Sequence, residues 1–139
     1  MFITDKRYDE FEAENVLEQL ERLYNDVRWY AYTNDMSLLQ DALLQPLDVI
    51  CAWNVEKLIG LIRIVGDGLT IIYIQDILVL NNYQNQGVAT TLMQQVLQDK
   101  NVRPKVLLTE EAPNVRHFYE RNGFQSCDKG SLVAFAKLS

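Results

Sequence analysis

At 139 residues, with 48% hydrophobic and 23% charged side chains, the chain has the size and balance of one globular domain and no room for a separate second core. Its 19 acidic residues outnumber 13 basic ones, for a formal charge of −6, which argues against nucleic acid as a partner, since that binding needs basic patches to neutralise phosphates. No apolar run approaches the roughly 20 residues that span a bilayer, and Met1–Asp9 lacks a signal-peptide core, so a cytoplasmic protein with no membrane partner is expected.

Phe2–Thr4 reads as a short first strand. Over Asn15–Tyr24 the residues Val16, Leu17, Leu20 and Leu23 fall at helical spacing, predicting an amphipathic helix. The aromatic segment Trp29-Tyr30-Ala31-Tyr32 follows, and Thr33-Asn34-Asp35 signals a loop or helix start. A helix over Ser37–Leu44 stops before Pro46, because proline disfavours helical geometry in its predecessor.

Asp48–Asn54 and Lys57–Val65 are apolar runs separated by Val55-Glu56, a hairpin pattern, and Gly66-Asp67-Gly68 is a turn. Leu69–Leu80 is apolar on both faces, as expected of a central strand. The segment Thr90–Gln98 is helix-like. Around it Val88, Leu92 and Val96 recur every four residues, as do Ala89, Met93 and Leu97, which gives this helix a broad buried face. Val106–Thr109 is a further strand. Pro113 suits the first turn of a helix carrying Val115–Arg121, which Gly123 terminates. Phe124–Cys127 and Leu132–Lys137 read as closing strands around Asp128-Lys129-Gly130.

Cys51 and Cys127 both fall in strand-like contexts and read as small core residues. With no CxxC pair and a single histidine, His117, no metal site is expected.

The motif that carries most chemistry is Gln84-Asn85-Gln86-Gly87-Val88-Ala89, between a buried strand and a helix. A strand, a tight turn and a helix start can grip a diphosphate. Gly87 and Ala89 allow close backbone approach, and the unpaired amides of the first helical turn point at the anion. There is no Lys-Ser/Thr pair of a P-loop and no full G-x-G-x-x-G, which disfavours a generic nucleotide-binding domain.

Together with Phe118-Tyr119-Glu120-Arg121-Asn122-Gly123-Phe124, this motif and element order resemble the GNAT superfamily of acetyl-coenzyme A-dependent N-acetyltransferases, over essentially Ile50 to Leu138. Gln84, Gly87 and Ala89 match its pattern of Gln or Arg, two residues, Gly, one residue, then Gly or Ala. The resemblance implies an α+β fold: a three-layer sandwich whose mixed, mostly antiparallel sheet has a splayed central strand pair and flanking helices. It implies that Gln84, Asn85, Gln86, Gly87, Val88, Ala89 and Thr90 bind the pyrophosphate of acetyl-CoA, with the Thr90 and Thr91 hydroxyls as extra donors. Freed backbone groups near Ile77, Leu78 and Val79 would pair with the pantetheine arm and the acetyl carbonyl. Tyr119 matches the family tyrosine near the cofactor sulfur, a general acid for the leaving thiolate.

Two features depart from the family pattern. Its pantetheine-binding asparagine, seven residues before the tyrosine, is Ala112 here; Asn114 either takes over that contact or only sits in the helix's first turn. The family's base positions, four or six residues before Val79, hold Gln75 and Tyr73. Asp76 lies on the opposite face by strand alternation unless a bulge shifts it. Tyr73 or Gln75 could orient a water, and Glu110 or Glu111 could accept the proton. Trp29, Tyr30 and Tyr32 fall in the loop where the family binds its acceptor, so Trp29, Tyr32, Tyr73 and Gln75 are the substrate candidates.

The activity so implied is acetyl transfer to a primary amine of a small molecule or peptide, by direct attack in a ternary complex, since no activated nucleophile is evident. A coenzyme A-binding sensor on the same fold is the alternative. Pairing through C-terminal strands, common among small members, implies a homodimer.

Overall fold

The computed structural model describes residues 2–4, 15–99 and 104–139. The chain divides into two compact units, Met1–Leu108 and Thr109–Ser139.

In the first unit, strands β1 (Phe2–Thr4), β2 (Asp48–Asn54), β3 (Lys57–Gly66), β4 (Ile72–Val79) and β5 (Lys105–Leu107) lie side by side in chain order. The first four pair antiparallel, and β5 joins β4 in parallel. Helices α1 (Val16–Asp26), α2 (Tyr30–Thr33) and α3 (Met36–Leu43) precede β2, and α4 (Val88–Asp99) follows β4. The α3 start is fixed by Asp35, whose carboxylate accepts the Leu38 N–H at 3.1 Å.

Strand β3 is the core of the sheet. Leu58, Ile59, Leu61, Ile62 and Ile64 are all buried, each contributing about 1.5–3 kcal/mol by leaving water. Helices cover both its faces. A Cβ added at Gly60 would lie 3.3 Å from Val88 of α4. Arg63 is three residues on and therefore faces the other way, where its partner Asp76 bonds Tyr24 of α1. The unit is thus a mostly antiparallel sheet between helical layers, the α+β sandwich expected.

At the β2–β3 hairpin, Val55 takes φ 58°, and α1 clamps the tip from the side. The Gln19 amide donates to Glu56 O at 3.0 Å, and its oxygen accepts the Leu58 N–H at 2.7 Å.

Two local expectations in this unit are corrected. The strand expected from Leu69 begins at Ile72, because Asp67 captures the N–H groups of Leu69, Thr70 and Ile71 at 2.7–3.1 Å and bends the chain into a turn. Trp29-Tyr30-Ala31-Tyr32 is not a plain loop, since Tyr30–Thr33 forms one helical turn.

The second unit carries α5 (Pro113–Arg121), with Pro113 in its first turn; Asn122 caps it and Gly123, at φ 90°, turns the chain away. Phe124–Cys127 and Leu132–Lys137, expected as strands, are not strands; Cys127–Lys129 is a 3₁₀ turn and Cys127 is exposed. An isolated strand gains nothing without a partner ladder, and alternation alone does not supply one. Cys51 is buried as expected, and burial pushes its thiol well above the ordinary range.

Candidate active site

Strand β4 changes character along its length. From Ile72 to Ile74 it pairs with β3 on one side and β5 on the other; from Gln75 onward the β5 pairing has ended while β3 continues to Gly60↔Val79. The backbone of Ile77, Leu78 and Val79 therefore presents its β5-facing edge outside the β5 ladder, as the splayed-pair expectation requires.

The chain then turns through Asn81–Tyr83 and reaches Gln84, whose side-chain amide donates back to Val79 O and to Asn81 Oδ1, both at 3.1 Å. Asn81 is itself pinned to the end of α1: its N–H donates to Asp26 Oδ2 at 2.6 Å and its side chain to Asp26 O at 2.8 Å. Gln86 donates to Asn82 O at 3.1 Å. The glutamines thus brace the turn by bonds to its own backbone.

Asn85 (φ 62°) and Gly87 (φ 84°) both take left-handed geometry. The first helical bond of α4 runs from Thr91 N–H to Gly87 O at 3.0 Å, so the amides of Val88, Ala89 and Thr90 precede the ladder. The Thr91 hydroxyl donates to Gly87 O at 2.8 Å, which commits it to the helix and takes it from the role of an extra donor. A Cβ on Gly87 would meet nothing within 4 Å. An exposed Gly87, two left-handed corners and amides that precede the helical ladder are features that could hold a diphosphate.

Opposite the splay lies a buried polar cluster. The β3–β4 register shifts between Arg63 and Ile64, which pair with Asp76 and Ile74 and leave Gln75 without a partner on β3. This bulge shifts the alternation, so that Tyr73, paired with Val65, shares the α1 side with Asp76. Asp76 is 2% exposed. It accepts from Arg63 Nε at 2.7 Å, Tyr24 Oη at 2.9 Å and Tyr32 Oη at 2.8 Å. The Tyr32 oxygen also accepts from Gln75 Nε2 at 3.2 Å and Arg63 Nη2 at 3.3 Å. Trp29 completes an aromatic group, its ring 6.1 Å from Tyr24 and 6.2 Å from Tyr32.

Burial, then the Asp76 charge, pushes the Tyr24 phenol well up. The Tyr32 phenol is raised too, chiefly by burial, against the Gln75 bond that lowers it. Burial works against the charge on Arg63, but Asp76 more than restores it and holds the guanidinium above its ordinary value. Asp76 is therefore on the expected-if-bulged face yet committed to Arg63.

In the second unit, Tyr119 is half-buried between Phe118 and Phe124, at centroid distances of 5.1 and 5.8 Å. Burial raises its phenol, and a hydrogen bond with Thr109 opposes this. Such a phenol is a proton donor throughout the neutral range. Asn114 is exposed in the first turn of α5. Arg116 Nε grips Glu111 at 2.8 and 2.9 Å and holds its carboxyl below the usual range, which makes Glu111 a poor base.

The first unit thus gathers Trp29, Tyr32 and Gln75 in one connected cluster, and places Gln84 to Thr90 in one braced turn beside Val79. Tyr73 lies further back on β4, where β5 still pairs. Sequence reading missed Tyr24 and Arg63. A lone arginine within the apolar run of β3 and a lone aspartate within β4 were the available signal: two opposite charges in buried strands imply each other.

A family model described as an acetyltransferase (GNAT) domain matches residues 46–126, and the chain belongs to this family. It is similar to a GNAT family acetyltransferase from Streptococcus pneumoniae, at 32% identity over 99% of this chain and 98% of that one, with a TM-score of 0.82. A protein of unknown function from meticillin-resistant Staphylococcus aureus shares the fold at 20% identity, over 99% and 98% of the two chains, with a TM-score of 0.73. So does the PaiA N-acetyltransferase from Thermoplasma acidophilum, solved in complex with coenzyme A, at 15% identity, 90% and 91% coverage and a TM-score of 0.68. No curated protein matches the chain. Among the described residues no helix is long and apolar enough to cross a membrane.

Proposed function

We propose that this GNAT acetyltransferase moves an acetyl group from acetyl-CoA to a primary amine by direct attack within a ternary complex. The observation that carries the reading is β4 itself: beyond Ile74 it leaves β5, and the edge so freed runs straight into a turn braced by Gln84. Acetyl-CoA supplies the thioester. The amides of Val88 to Thr90 and the open flank of Gly87 receive its diphosphate, and the backbone of Ile77 to Val79 lines its arm and polarises the acetyl carbonyl. The acceptor amine lies against Trp29, Tyr32 and Gln75, held for attack by proximity. Tyr119 gives its proton to the departing thiolate, and Asn114 contributes to holding the arm. Water in contact with Gln75 and Tyr73 carries the amine's proton away, since Asp76 and Glu111 are both bound by arginines.

Release of free thiol from acetyl-CoA in the presence of a broad amine panel tests this. Product with any amine supports the transferase; coenzyme A binding with no product from any of them removes it. That second outcome favours a coenzyme A-binding sensor, a reading supported by the commitment of Asp76 to Arg63.

A homodimer is proposed on the same footing. Leu132, Val133, Phe135 and Leu138 are between 68% and 93% exposed, apolar surface that a second copy would cover. Light scattering that shows only monomer would remove it.

A further inference from the structure

The Arg63–Asp76 cluster on the proposed acceptor side carries no net charge although it is built from a full negative and a full positive charge. Asp76 and Arg63 are 2% and 6% exposed and share a 2.7 Å bond. The aspartate receives two tyrosine hydroxyls as well. The Arg63 guanidinium lies 5.6 Å from the centre of the Tyr32 ring, so an internal cation already uses the attraction of that ring face. What this cluster turns outward is Gln75, exposed on the bulge, with the Tyr32 oxygen beneath it. Both are uncharged.

From this, and resting on the transferase reading above, we infer that the acceptor is a monoamine with an uncharged, apolar body, and that a second ammonium group on the acceptor is selected against. The physical reason has two parts. A far-end ammonium drawn toward Trp29 and Tyr32 loses hydration and gains no ion pair from Asp76 in exchange, because that carboxylate is neutralised from within. An apolar far end gains from the same aromatic surroundings. The reacting nitrogen gains as well: it attacks only as the neutral amine, and a neutral station does not hold it in the ammonium form. Tyr32 Oη, which accepts from the Gln75 amide at 3.2 Å, can accept the amine's N–H in its place.

The test uses the full-length protein, acetyl-CoA and two acceptors of matched length, heptylamine and hexamethylenediamine, which differ in whether the far end is a methyl or an ammonium. Thiol release is followed at physiological ionic strength, where a Debye length of about 8 Å screens the general attraction of an acidic protein for cations. Heptylamine is expected to exceed the diamine in kcat/KM by at least about tenfold. A ratio of one, or a preference for the diamine, overturns the inference while leaving acetyl transfer standing. No turnover with any amine overturns both.

The variant Gln75→Glu adds one carboxylate at an exposed position without a β3 partner, so the fold has little to lose. Retained coenzyme A binding reports that it is intact. The monoamine preference is expected to shrink or reverse in this variant. An unchanged ratio would show that acceptors do not pass the Tyr32–Gln75 station.

Discussion

Arg63 Nε donates to Asp76 Oδ2 at 2.7 Å across the one place where β3 and β4 fall out of register. The extra residue at this bulge, Gln75, is thereby pushed to the surface while its neighbour is drawn into the core. Burying a charge is costly unless it is paired, so the pair and the bulge specify each other.

Breaking the pair from one side should be severe. Arg63→Met leaves a buried carboxylate facing only tyrosines, and we expect a loss of about 3–5 kcal/mol in urea unfolding. Joining it with Asp76→Leu should recover most of that loss. A single variant as stable as the parent would contradict the arrangement.

Gly87 is required for its backbone angle and its open flank rather than for tight packing. Gly87→Ala meets no atom within 4 Å but must hold φ 84°, at a cost of about 1–2 kcal/mol. The larger effect is expected on the ligand: coenzyme A should raise the melting temperature of the parent clearly more than that of the variant. Equal protection would show that the diphosphate is held elsewhere.

Tyr119→Phe removes the proposed acid and keeps the ring that packs with Phe118 and Phe124. We expect turnover to fall by about a hundred- to ten-thousandfold with coenzyme A protection preserved. Because burial raises this phenol above its ordinary value of 10.0, the parent's turnover should not decline on the alkaline side until beyond that value. Full turnover in the variant would dismiss the role.

The Asp67 turn predicts a pH dependence of stability. Bonds from the Thr70 hydroxyl and the Thr70, Leu69 and Ile71 amides depress the folded carboxyl well below its ordinary 3.8. The stabilisation is therefore fully present above the unfolded value and is lost as acid drives the pH down toward the folded one. Urea unfolding compared at about pH 5 and about pH 2 should show a larger drop for the parent than for Asp67→Ala. Identical drops would mean that the turn is already open.

Much of the first unit was legible because a continuous apolar run reports a strand buried on both faces: β2 begins and ends where its apolar run does, and the turn at Gln84 follows as read. Where polar side chains redirect the backbone, legibility fails. Asp67 delays β4 by three residues, and nothing in local composition distinguishes its carboxylate from a solvated one. The bulge at Gln75 was foreseen only as a condition on Asp76, because register depends on the facing strand. Arg63 went unread for the same reason: its partner lies thirteen residues on, across a pairing that the sequence does not display. Leu132–Lys137 has the pattern of a strand, yet a strand is a property of a pair.

The unpaired place of Gln75 bears on how such a protein can diversify. A residue in register is constrained by the neighbour opposite, whereas one at a bulge answers to no partner on β3, and Arg63 with Asp76 keeps the frame whatever stands there. Glutamine and glutamate codons differ by a single base. On the transferase reading proposed above, one point mutation recharges the acceptor side while the core and the turn at Gln84 stay untouched, so substrate preference can drift at this position without first passing through an unfolded ancestor.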